Sequence, residues 1–105
     1  MNLEELKNKL RKYKKKDIIF TKHTEIRALS RNMNLDEIKE NIINPKKLVF
    51  CKEQDAENPN EKKYECYFAY SENHCHKYVL VLNGKIIIVT IIDINRNWQR
   101  IIQRK

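Results

Sequence analysis

The sequence predicts an α+β domain: N-terminal helices packed on a four-stranded, mainly antiparallel sheet, closed by a short C-terminal helix. Three observations predict it. Apolar residues recur at three- and four-residue spacing as far as Pro45. Beyond Pro45, β-branched and aromatic residues gather into alternating or continuous apolar runs. Between two of those runs stands Asn83-Gly84, the dipeptide preferred in a two-residue hairpin turn, where both positions need positive φ. The 105 residues, 41% hydrophobic and 34% charged, suit one domain with a modest core rather than a disordered chain.

Leu3, Leu6, Leu10 and Tyr13 predict an amphipathic helix over 2–15, whose leucine stripe packs on the sheet or offers a dimerising face. The apolar residues 17–20 predict a brief strand or extended lead-in. Thr21 suits an N-cap, and a helix over 22–31 is expected to bury Ile26, Leu29 and Met33. Asn34 caps the next helix, with Glu37 as its capping-box partner. Its stripe is Leu35, Ile38, Ile42 and Ile43, and Pro45 bars it from continuing. Strands are expected over 47–52, 63–70, 75–82 and 85–94, with an acidic loop over 53–61. The last strand, nearly all Ile and Val, reads as central and covered on both faces. A helix over 95–105 turns Trp98, Ile101 and Ile102 inward. One domain therefore comprises a basic N-terminal helix (1–16), a core (17–94) and a basic C-terminal helix (95–105).

Net charge is +8, and it sits at the ends: residues 1–16 carry +5 and 96–105 carry +4, while the middle is close to neutral. That distribution points to a polyanion or an acidic protein as partner. A single glycine excludes the dinucleotide-binding and P-loop cradles and the nucleophile elbow. No apolar run is long enough to cross a membrane, and no secretory signal stands at the start, so a cytoplasmic protein is expected. Cys51, Cys66 and Cys75 are then expected to be reduced thiols half-buried in strands.

His23, Arg27 and Arg31 recur at i, i+4 and i+8 and form one polar stripe on the second helix. An imidazole moves protons near neutral pH, and guanidinium forks hold phosphate and the charge that builds on it. The stripe therefore has the groups that phosphodiester cleavage needs. Lys22, Arg96 and Arg100 extend the basic surface as substrate contacts. Tyr67, on the opposite strand face from Tyr64 and Tyr70, is the tyrosine placed to stack a base.

His74 and His76 point to one side of their strand and Cys75 to the other. No zinc-type ligand spacing accompanies them, so a pair of exposed imidazoles is expected, able at most to bind a transition ion weakly. Neither a metal nor another cofactor is expected. Either His could supply a second proton-transfer group. Neither neighbour is placed to activate Cys75 as a nucleophile.

The segments IIFTKHTEIRALSRNMNLDEIKENIINP and YVLVLNGKIIIVTI resemble the RelE/ParE-type toxin-fold superfamily, in its branch of unknown-function domains with a His-x3-Arg-x3-Arg helix. The likeness covers about 18–92 and matches His23, Arg27, Arg31, Asn44-Pro45 and Val89-Thr90. It implies the RelE/barnase-like toxin fold and a metal-independent endoribonuclease. There the RNA 2′-hydroxyl attacks the adjacent phosphorus and leaves a 2′,3′-cyclic phosphate. His23 would be the general acid or base, Arg27 and Arg31 would hold phosphate, and Thr90 would line the site from the sheet. RNA, as single strands or ribosome-bound mRNA, and an acidic antitoxin are the implied partners. The alternative is a non-catalytic module on the same fold that binds nucleic acid or protein, including a gyrase-inhibitor-like role.

Overall fold

The computed structural model describes residues 2–105. Along the chain run α1 (Leu3–Leu10), β1 (Ile18–Phe20), α2 (Lys22–Ser30), α3 (Leu35–Ile43), β2 (Leu48–Gln54), β3 (Lys62–Ser71), β4 (His74–Leu82), β5 (Ile86–Ile94) and α4 (Gln99–Gln103). The sheet has five strands in the order β1-β5-β4-β3-β2. Four of them form the expected antiparallel meander. The fifth is the lead-in at Ile18–Phe20, which pairs parallel with Ile86–Ile88 and makes the sheet mixed. Among the described residues, no helix is long and apolar enough to cross a membrane.

The local signals hold with adjustments. Asn2, Thr21 and Asn34 cap α1, α2 and α3 through their side-chain oxygens. α1 stops at Leu10 rather than near 15. The Asp17 carboxylate accepts the Lys14 N–H at 2.9 Å and starts a separate 3-10 turn at Lys15–Asp17. The β4–β5 hairpin turns through three residues rather than two, and Gly84 alone has positive φ, at 91°.

The expected burial of α2 is overturned. Ile26 is 60% exposed and Leu29 82%, while Thr24 and Ala28 are buried. The cause lies in the sheet edge. β1 ends at Phe20, so the carbonyls of β5 beyond that point lack a strand partner, and buried carbonyls must find donors. α2 supplies them. The Ile88 carbonyl accepts the Thr21 N–H at 3.3 Å and the Thr24 hydroxyl at 3.1 Å, and the Ile91 carbonyl accepts Arg31 Nη1 at 2.7 Å. Small residues at positions 24 and 28 permit this close approach, which the bulk of Ile26 and Leu29 would block. α2 ends in a Schellman turn: Asn32 takes φ 54°, and the Met33 N–H bonds the Ala28 carbonyl at 2.9 Å. Met33 is thereby delivered to the core, as expected.

The sheet separates two apolar layers. On one face α1, α2 and α3 bury Leu6, Leu10, Ile38 and Ile42 against Phe68, Tyr78, Leu80 and Ile88. The leucine stripe of α1 is thus spent on the sheet rather than on a dimer. The other face is covered at one end by α4, where Trp98, Ile101 and Ile102 pack on Tyr67, Cys75 and Ile94. The Trp98 indole N–H fastens this layer to the Ser71 carbonyl at 2.6 Å. Glu65, 3% exposed on the same face, is met by Lys105 at 2.7 Å and Lys77 at 3.4 Å. All three cysteines are free thiols.

Candidate functional site

Strand register assembles a polar cluster at one end of the helix-covered face. His76 pairs with Phe68 on one side and with Asp93 on the other. His74, two residues earlier, points the same way. The two imidazoles therefore flank one carboxylate: His74 Nε2 lies 2.8 Å and His76 Nε2 3.6 Å from Asp93 Oδ1. The Tyr70 ring stacks on His74 with centroids 4.9 Å apart and meets His76 edge-on at 4.7 Å.

α3 closes the cluster from above. The Asn41 amide nitrogen donates to Tyr70 Oη at 2.7 Å and to Tyr78 Oη at 3.0 Å. The Tyr70 hydroxyl donates to the Glu37 carboxylate. Tyr78 Oη lies 2.6 Å from His76 Nδ1. Counting hydrogens fixes the direction of the chain. The amide has two, and both go to phenol oxygens. The Tyr70 hydrogen goes to a carboxylate, which only accepts. Tyr78 is fully buried, and its own hydrogen has His76 Nδ1 as acceptor. His76 is then the neutral tautomer with Nε2–H turned toward Asp93. The Asp93 carboxylate accepts Nε2–H from His74 at 2.8 Å, so Nδ1 is the His74 ring nitrogen turned away from Asp93, on a side chain 38% exposed.

The electrostatics agree with this assignment. Burial holds the His76 pKa below its usual value, outweighing the pull of Asp93 and Glu37 toward the charged form. Burial and the Glu37 hydrogen bond push Tyr70 up to about 12. Burial pushes Tyr78 further up, so both phenols keep their hydrogens near neutral pH. On the far face, burial raises the Glu65 pKa, but Lys105 and Lys77 outweigh it and the net shift is down. Burial lifts Cys75 to about 11, consistent with an inert thiol.

The expected site residues fall in three places. His23 and Lys22 are exposed on the first turn of α2, and Arg27 is half-buried on its flank. Arg31 caps the helix and reaches β5 at Ile91, which shares the strand face of Asp93 two residues on. Of the helix stripe, Arg31 alone is tied to the strand that carries the cluster. Thr90 pairs with Val79 and so faces the side of the sheet away from α2. Arg96 and Arg100 are exposed beside α4, again on that far side. Tyr67 corrects the expectation outright: it is fully buried beneath α4, edge-on to Phe50 at 5.9 Å, with no free ring face for a base. His76 is also no exposed residue, at 5% exposure.

Asp93, Asn41, Tyr70, Tyr78 and Glu37 were not singled out from sequence as members of a site. Two signals stood there: Asp93 is the one charged residue of β5, and Asn41 interrupts the buried stripe of α3 between Ile38 and Ile42. An imidazole oriented by a carboxylate, with its second nitrogen free, is the arrangement of a general base. Comparison with family models, with curated proteins and with solved structures found no match for this chain.

Proposed function

We propose that this chain is a small endoribonuclease of the RelE/barnase-like toxin type that cleaves RNA by attack of the 2′-hydroxyl on the adjacent phosphorus. The observation that carries the reading is the Asp93–His74 pair at 2.8 Å, on a partly exposed ring, in a chain of charge +8. His74 Nδ1 accepts the 2′-hydroxyl proton. The 2′-oxygen bonds to phosphorus, the bond to the 5′-oxygen breaks, and water protonates the leaving oxygen. The product is a 2′,3′-cyclic phosphate. One Arg31 N–H is spent on Ile91, and the remaining guanidinium donors are left for the phosphate. His23 lies roughly 12 Å from Arg31 along the helix axis. Together with Arg27 it serves neighbouring nucleotides of the same strand rather than the same phosphorus. An acidic protein covering this basic surface, as an antitoxin would, belongs to the same reading.

Labelled mixed-sequence RNA incubated with protein in EDTA tests the proposal. Cyclic-phosphate fragments are expected from wild type, few or none from folded His74→Ala, and reduced yield from His23→Ala. Cleavage kept in His74→Ala but lost in His23→Ala would move the chemistry to the helix stripe.

A second reading has its own observation. The basic residues of α4 lie across the sheet from those of α2, so each surface offers phosphate contacts independent of the histidines. A binding module would show no cleavage and a log K falling by about 0.7 per phosphate contact with log salt on single strands. A gyrase-inhibitor role would appear in DNA supercoiling instead.

A further inference from the structure

We infer that His74, His76 and Asp93 form a binding site for one divalent transition-metal ion of the zinc, cobalt, nickel or copper class, and that its occupancy switches the base off. Each residue offers one ligand atom, and the three atoms lie within 4.8 Å of one another. An ion about 2.1 Å from each ligand needs those atoms roughly 3.0–3.5 Å apart in tetrahedral or octahedral geometry. The His74 and His76 nitrogens already stand 2.8 and 3.6 Å from the Asp93 oxygen. The two imidazole nitrogens, within 4.8 Å of each other, close the remaining gap by rotation of the His74 and His76 side chains.

The donor set fixes the class of ion. Two imidazoles with one carboxylate favour borderline transition dications over magnesium or calcium, which take all-oxygen shells. All three ligands stand on the paired strands β4 and β5, so the backbone is already in place. The His74 and Asp93 side chains are 38% and 27% exposed, which leaves an entry path and room for water on the open positions. A hydrogen-bond partner behind the buried ligand is present as well: coordination through His76 Nε2 moves that ring's hydrogen to Nδ1, where Tyr78 Oη accepts it at 2.6 Å.

That proton shift distinguishes the site from a passive surface pair. In the free protein Tyr78 donates to His76; with an ion bound, His76 donates to Tyr78 and the phenol hydrogen loses its acceptor. The ion also takes the His74 Nε2 that anchors the ring to Asp93, so the dyad no longer exists as a base. The inhibition rests on the proposed cleavage chemistry; the binding does not.

Calorimetric titration of the untagged protein with Zn2+, and visible absorption with Co2+, test it without reference to RNA. One equivalent is expected to bind, with at least a tenfold loss of affinity in His74→Ala and in Asp93→Asn. His74 is partly exposed, so this variant is expected to keep its fold, checked by circular dichroism. Long-range 15N spectra of wild type should show His76 Nδ1 gaining a hydrogen on zinc addition. No binding by folded wild type, wild-type affinity retained in either variant, or an unchanged His76 tautomer would overturn the assignment. If cleavage is absent but zinc binds as described, the nuclease reading fails and the metal site stands.

Discussion

Removing one oxygen, in Tyr78→Phe, tests the hydrogen-bond chain behind the site. Tyr78 is fully buried, and its hydroxyl accepts from Asn41 at 3.0 Å and faces His76 Nδ1 at 2.6 Å. The ring itself stays and keeps its tilted contact with Phe68, centroids 4.9 Å apart. The loss is therefore confined to two hydrogen bonds. Each orphans a buried partner, and an orphaned buried polar group costs about 1–3 kcal/mol. A total of about 2–4 kcal/mol is expected, because the partly exposed end of the cluster lets some relaxation reach His76. Tyr64→Phe is the internal control. Tyr64 is equally buried, at 1% exposure, but no side-chain hydrogen bond is found for it among the described residues. Its loss should stay below about 1 kcal/mol. Urea unfolding followed by circular dichroism at pH 7 measures both. Equal losses in the two variants would refute the chain.

Other consequences follow from the same contacts. His76 has a lowered folded pKa, so between that value and its unfolded value near 6.5 the unfolded chain binds more protons. Stability should therefore fall as pH drops below about 6.5, by up to about 1.4 kcal/mol per pH unit, and His76→Gln should flatten that slope. Glu65, whose folded pKa is lowered, adds stability above its unfolded value near 4.5, lost as pH falls through the folded pKa. Lys105→Ala should cost about 1–2 kcal/mol at pH 7, because Lys77 and the Gln54 amide still hold Glu65, and little at pH 3, as urea midpoints will report. The orientation of α2 predicts that Leu29→Ala changes stability by no more than about 0.5 kcal/mol. Ala28→Leu, which forces bulk against β5, should cost about 1–3 kcal/mol in the same assay.

The elements were legible because their signals are local. Caps at Thr21 and Asn34, the stop at Pro45 and the Gly84 hairpin each depend on residues within one turn of chain. What depended on distant partners was not. Nothing near Ile18–Phe20 announces that it will pair with Ile86–Ile88. The face of α2 was misread for the same reason: periodicity assigns apolar residues inward, but unpaired β5 carbonyls required Thr24 and Arg31 there. Parity correctly put His74 and His76 on one side and Cys75 on the other. It carried no information about α3, which covers His76, or about α4, which buries Tyr67. The cluster needs β3, β4, β5 and α3 together, and no stretch of sequence contains it.

The state of two hydrogens tests the account most directly. Long-range 1H–15N spectra of the histidines near pH 7.5 report which ring nitrogen is protonated. The hydrogen-bond count predicts that both rings carry hydrogen on Nε2, with His74 donating to Asp93 at 2.8 Å and His76 Nε2 3.6 Å from the same oxygen, and that Nδ1 of His76 accepts from Tyr78. A hydrogen on Nδ1 of His74 would leave no base facing the substrate. A hydrogen on Nδ1 of His76 would reverse the chain at Tyr78 and contradict the assignment on which the site is built.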